Sequence, residues 1–166
     1  GSGQPTGIVT ALTGGSSVVA SAATDTFAIG DVYGVHDDLP ARYRFNGSWL
    51  ANNSIYSLVR QFDTAGGAGM WERIGAGRPP QLLGRNAYES EGMDGTITAT
   101  SDNYAMVFGD FTDYVIADRI GLQVEFIPHL FATGNNRPSG QRGWYAYFRV
   151  GADSVNDGAF RMLNVT

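Results

Sequence analysis

Hydrophobic positions follow two different rhythms along this chain. From Phe27 to Leu39 the apolar residues Ile29, Val32, Val35 and Leu39 recur at three- and four-residue steps, with Asp31, Asp37 and Asp38 between them. That period predicts an amphipathic helix, and Pro40 stops it by removing a backbone donor and crowding the preceding turn. Ser48–Ala51 reads as a buried strand. Asn52, Asn53 or Ser54 then caps a second helix, whose Ile55, Leu58, Val59 and Phe62 fit the i, i+3, i+4, i+7 template. After Tyr104 the period shortens to two. Leu122, Val124 and Phe126 alternate with Gln123 and Glu125, and Trp144, Ala146, Phe148 and Val150 alternate with Tyr145, Tyr147 and Arg149.

Between these regimes the signals are weaker. Residues 1–26 are small and polar and predict loop, with one short strand at Gly7–Leu12. Asp63–Pro80 predicts a long glycine-rich loop carrying Trp71, and loops of that length inside a compact domain tend to have a function. Gln81–Tyr88 is a strand candidate. Asp157-Gly158, between Ser154-Val155 and Ala159-Phe160, is a tight hairpin signal. Helices in the first third and strands afterwards describe an α+β protein, and 166 residues fit one domain.

Composition narrows the chemistry. There is no cysteine, which excludes disulfides, thiolate catalysis and thiolate metal sites within the chain. All 11 basic residues are arginine, so neither Schiff-base chemistry nor a P-loop lysine is possible here. A net charge of −5 argues against general nucleic-acid binding, and no apolar run reaches the length of a membrane-spanning helix. The chain begins GSGQPTG without methionine, so Gly1–Gly3 are read as a processed or foreign end.

Catalytic constellations are sparse. Asp110, Asp113 and Asp118 could in principle supply the acids of a two-carboxylate hydrolase. Asp110 and Asp113 read more simply as turn residues, and Asp118 as one half of a surface ion pair with Arg119. The two histidines, His36 on the first helix and His129 after Pro128, lack a nucleophile elbow or enough partners for zinc, and no calcium loop is present. The expectation is no catalytic residue, no metal and no cofactor. The glycine clusters Gly66–Gly69 and Gly75–Gly77 lack the strand-to-helix context of a phosphate cradle.

Charge is segregated along the chain. Seven acids and no base lie between Asn86 and Asp118, whereas Arg137, Arg142 and Arg149 lie without acids between Ile127 and Ala152, in a block that also holds Trp144, Tyr145, Tyr147 and Phe148. Three explanations stay open: stacking on nucleic acid, pairing of opposite patches between copies of the chain, and neighbouring strands that pair within one subunit. Aromatics on both faces of a strand suggest a buried sheet, which disfavours the first.

Longer segments carry a resemblance. GQPTGI, GDVYGVHDDLPARYR, RQFDTAGGAGMWERIGAGRPPQLLGRNAYESEGMDG, VFGDFTDYVIADRIGLQVEFIPHLF and RPSGQRGWYAYFRVGADSVNDGAFRMLNV together resemble the C-terminal part of a tailed-phage major capsid protein of the Hong Kong 97-type fold. The likeness runs from about Gly3 to Val165, and a prophage would carry the same protein. It implies an axial domain of mixed sheet and flanking helices (6–111 and 152–166) plus long peripheral-domain strands (112–151), with the spine helix, extended loop and N-terminal arm not in this chain.

On that resemblance the chain is a structural subunit, not an enzyme, and its partners are copies of itself in pentamers and hexamers enclosing DNA. Scaffold, decoration and portal proteins of the same virion are further partners, with no membrane and no sequence-specific nucleic acid. The protein resides in the virion capsid and, during assembly, in the host cytoplasm. An encapsulin-like compartment shell shares the implied fold and is the alternative. Trp71, Arg73 and Arg78 in the glycine-rich loop, and Arg137 and Arg142, are the expected assembly-interface residues. Some relatives close the shell with a lysine–asparagine isopeptide bond. The corresponding place, near Arg142-Gly143-Trp144, holds no asparagine, which implies non-covalent contacts. A chain without spine helix or arms is expected to stay monomeric or form weak rings.

Overall fold

A computed structural model describes residues 3–66, 71–72, 80–134 and 137–166, with side chains at all of these except 63–66, 71–72 and 120. The chain opens on a short helix, α1 (Ile8–Leu12), where a strand was expected. A five-residue apolar run does not distinguish the two, and packing decides. Leu12 is buried among Met93, Val107, Phe160 and Met162. Strand β1 (Val18–Ala20) also falls within the expected loop.

Helix α2 (Ile29–Asp38) follows the predicted period, with Val32 and Val35 fully buried. Its first turn is held by the buried Asp31, whose carboxylate accepts the amides of Ala28 (2.8 Å) and Ala22 (2.9 Å). Leu39, extended before Pro40, ends it. A single turn, α3 (Ala41–Arg44), leads into β2 (Ser48–Ala51). Asn52 then caps α4 (Asn53–Gly66) by accepting the Ser54 amide at 3.0 Å. The same side chain leaves no room at Gly95, where a Cβ would sit 2.9 Å from the Asn52 amide carbon.

Helix α4 runs four residues into the stretch expected to be loop, and β3 (Trp71–Glu72) lies inside it as well. Gln81–Tyr88, expected as one strand, is a hairpin of β4 (Gln81–Leu82) and β5 (Arg85–Glu89). Its two turn residues, Leu83 and Gly84, both have positive φ (51° and 69°), the backbone of a tight primed turn. Leucine is a poor advertisement for that conformation, so the turn was not visible in the sequence.

Strands β6 (Asn103–Gly109) and β9 (Phe160–Val165) complete a seven-stranded mixed sheet of order β1-β9-β6-β2-β5-β4-β3. β6 runs antiparallel to both neighbours, and β1 and β5 add parallel pairings at β9 and β2. One face packs on α2 and α4, where Trp49 stacks on Phe108 with ring centroids 4.3 Å apart and donates its indole N–H to the Leu82 carbonyl at 2.9 Å. The other face carries the cluster around Leu12 and Phe160. Each such fully buried large side chain stabilises by roughly 1.5–3 kcal/mol.

The two longest strands stand apart from this sheet. β7 (Tyr114–Ile127) and β8 (Gly143–Ser154) pair only with each other, antiparallel, as a two-stranded ribbon. Short 3-10 turns at Phe111–Asp113 and Asp157–Ala159 lead into and out of it. Asp157-Gly158 is therefore no hairpin: it joins β8 of the ribbon to β9 of the sheet. Local turn chemistry was present, but the strands on either side have different, distant partners.

Candidate functional site

Of the acids first weighed as catalytic, Asp110 and Asp113 are engaged by local structure. The Asp110 carboxylate is buried and accepts the Thr112 amide (3.1 Å) and hydroxyl (2.7 Å), closing the turn before β7. Asp113 accepts the Asn156 side-chain amide at 3.2 Å, and that amide also donates to the Tyr43 hydroxyl at 2.7 Å. Asp118 lies on the ribbon, exposed, in the row of Val150. The expected ion pair with Arg119 is not formed among the described residues.

His36 stacks on Phe108 (5.3 Å) and sets Nδ1 3.0 Å from Asp37, while His129 is exposed just past β7. Among the described residues no three His, Asp or Glu side chains gather as metal ligands. An open depression of about 810 Å³ at the ribbon root, lined by Leu50, Tyr88, Asp110 and Phe111 among others, presents one acid, and that acid is already engaged by Thr112. Among the described residues the one strongly displaced titration is that of Tyr56. Burial pushes its hydroxyl well above the usual tyrosine range, and it donates to the Tyr88 carbonyl at 2.9 Å. That is a structural role.

The ribbon is the outstanding surface. Its root is tied to α3 by the Asn156 bridge and to the N-terminal segment by the Tyr114 hydroxyl donating to the Thr6 carbonyl (2.6 Å) and the Thr6 amide donating to Ala152 (2.8 Å), and is closed on itself by the Val155 amide donating to Asp113 (2.9 Å). Near the root Gly3, Gln4 and Pro5 lie beside Arg119, Arg149 and Gly151, and the side chains of Phe126, Trp144 and Tyr145 towards the tip are exposed. Register gives it two unlike faces. Val124 opposite Ala146, Phe126 opposite Trp144, and Phe148 beyond them form one face, apolar from the tip as far as Val150, which stands opposite Asp118. Trp144 is 75% exposed, Phe148 64% and Val124 54%. The expected burial of these aromatics is thus overturned: period two reports which face a side chain is on, not whether this chain covers it. Gln123 opposite Tyr147 and Glu125 opposite Tyr145 form the other, polar face.

The acidic and basic blocks do meet as neighbouring strands, but no row of that register sets an acid opposite an arginine. Cross-strand pairing within the ribbon therefore leaves the segregation unexplained. Arg137 and Arg142 are brought together near the ribbon tip, where the Leu130 amide donates to Gln141 and the Ala132 amide to Arg137, and both arginines are exposed. Trp71 is placed on β3, the outermost strand of the sheet, so it belongs to a different region. Arg73 and Arg78 lie outside the described residues.

Comparison with known proteins gives the chain a context. It matches the phage capsid family over residues 1–165. No curated protein matches it. Among solved structures, the capsid of an empty GTA particle computed with C5 symmetry is similar at 30% identity and a TM-score of 0.73, over 98% of this chain and 56% of that one. The capsid of the native GTA particle aligns at 29% identity with the same score and coverage. A structure from Mycobacterium phage Ogopogo shares the fold at 16% identity and a TM-score of 0.53. The chain spans little more than half the length of these neighbours.

Proposed function

The chain belongs to the phage capsid family, and from that membership we propose that it is part of the structural subunit of an icosahedral shell, built to contact copies of itself and not to transform a substrate. The observation that carries the reading is the ribbon: two long strands with an exposed apolar face, in a chain whose whole length aligns with capsid subunits. A two-stranded ribbon is marginal on its own in water, so a face of this kind calls for a cover. The seven-stranded sheet with its helices (6–111 and 152–166) is the axial domain and residues 112–151 are peripheral strands. The apolar ribbon face is covered by the part of the subunit outside this chain.

In this reading Trp71, Arg73 and Arg78 lie towards the capsomer centre, and Arg137 and Arg142 at the ribbon tip meet an acidic surface of a neighbour. Scaffold, decoration and portal proteins are the other partners, met in the host cytoplasm before the shell encloses DNA. A mildly acidic subunit suits a container that must not grip its contents. The test is expression of the whole native gene product, followed by sedimentation and electron microscopy. Closed particles are the expected result; a protein that stays monomeric at high concentration overturns the proposal. Particles that enclose no DNA in the presence of the phage packaging machinery would favour a compartment shell instead.

A further inference from the structure

The two faces of the seven-stranded sheet are not covered alike. Helices α2 and α4 pack on one of them. The other is closed by α1, Met93, Phe111 and Tyr114 over β1, β9 and β6, but lies open over β2 and β5. Alternation turns Trp49, Ala51 and Ala87 to the helices, and Ser48, Leu50 and Tyr88 to the open half. There Leu50 and the half-exposed Tyr88 ring floor the depression at the ribbon root, with Phe111 as a wall. The buried Asp110 lines it as well. Both bonds to its carboxylate, from the Thr112 amide and hydroxyl, fall on Oδ1, which leaves Oδ2 without a partner among the described residues. An apolar floor beside an uncommitted carboxylate oxygen suits an aromatic group that arrives with a cation.

The turn between α3 and β2 carries such a group. Phe45 is 77% exposed, yet it is held in place. Arg85 donates to its carbonyl at 2.6 Å, and the guanidinium lies 5.7 Å from the ring centroid. Arg85 shares the helix side of the sheet with Leu82, its register partner, and with Ala87. Arg42, also exposed, stands three residues before Phe45 on α3 and so beside it. A fixed, exposed ring flanked by arginines has the composition of an interface anchor.

Knob and socket thus belong to opposite sides of one sheet, and the ring does not fill the socket of its own subunit. We propose that the Phe45 knob of each subunit enters the socket of the next copy, bringing its arginines to Asp110. The inference deepens the capsid-subunit reading and rests on it. Unlike surfaces on opposite sides of a subunit are what a heterologous contact requires, and repetition of that contact closes a ring. The charges agree with this arrangement. Two guanidinium groups accompany the ring and a carboxylate lines the socket, whereas knob against knob would oppose like charges.

The absence of cysteine in this chain makes the contact addressable. In the native gene product, with any thiol elsewhere exchanged for serine, particles are assembled from equal parts of Arg42→Cys and Ser48→Cys subunits. A flexible bismaleimide should then give a covalent dimer of one subunit of each kind on a denaturing gel. Particles of either variant alone should give about tenfold less, because a heterologous contact does not pair a residue with itself. Phe45→Ala should lower particle yield about tenfold and leave the urea midpoint of this chain where it is. Ser48→Trp, which fills the socket from its own subunit, should lower the yield likewise. Intact particles without the mixed dimer overturn the contact and leave the socket to another part of the shell, while sparing the capsid reading. Equal bridging by one variant alone, or full yield from both Phe45→Ala and Ser48→Trp, also overturns it. Unsubstituted protein that forms no particles overturns both.

Discussion

Aromatic residues serve opposite ends in the two halves of this molecule. In the sheet, Trp49, Phe108 and Phe160 are wholly buried and meet partners from the same chain. In the ribbon, Phe126, Trp144 and Phe148 are of the same chemical kind yet stand in water. The first set stabilises the fold; in the proposed reading the second is spared by folding and kept for a contact the chain does not itself complete. Stability and assembly are thus written in separate places, and substitutions should separate them.

The sharpest test compares one aromatic from each region. Phe108→Ala removes a ring stacked on Trp49 and His36 and should cost about 3–5 kcal/mol in urea unfolding of this chain. Trp144→Ser should change the same measurement by no more than about 0.5 kcal/mol, yet lower particle yield severely in the native gene product. Equal destabilisation by both would break the distinction. Gly109→Ala probes the seam between the regions: the added Cβ would fall 2.5 Å from the Ala159 carbonyl oxygen, so loss of a few kcal/mol is expected there too.

Smaller effects sharpen the picture. Tyr56→Phe removes the bond to Tyr88 and should cost about 1 kcal/mol at neutral pH. Above about pH 10 the unfolded tyrosine releases a proton that the buried Tyr56 keeps, so stability falls as pH rises, and Tyr56→Phe should flatten that fall in a pH series. At the ribbon tip, Arg137→Glu or Arg142→Glu should leave unfolding unchanged and weaken assembly several-fold, more at low salt than at high. Smallest of all, boiling particles in detergent should release single subunits, because no asparagine stands near Arg142-Gly143-Trp144 to form a cross-link.

Much of the sheet half was legible in the sequence because its periods are set by burial within the chain. The helical spacing of Val32, Val35 and Leu39, and of Ile55, Val59 and Phe62, gave α2 and α4 their true places. What stayed hidden depended on distant partners or atypical turns. α1 is helical because Leu12 needs a place in a cluster drawn from four other segments. Leu83-Gly84 turns a hairpin with a residue that seldom does so. Asp157-Gly158 looked like a hairpin because a dipeptide carries no information about which strand its neighbours will join. The ribbon was legible as two alternating strands, but not its exposure, since a side chain's face and that face's cover are separate facts.

The ribbon's length has a mechanical side. Fourteen extended residues reach roughly 40–45 Å from the Tyr114 end, whereas the attachment is a handful of hydrogen bonds around Asn156, Thr6 and Asp113. Such a beam magnifies angle: tilting it by about 5° at its anchorage carries the far end by about 4 Å, as far as a salt bridge reaches. The seating of Tyr43, Asp113 and Asn156 therefore decides how far away Arg137 and Arg142 arrive, though none of the three comes near them.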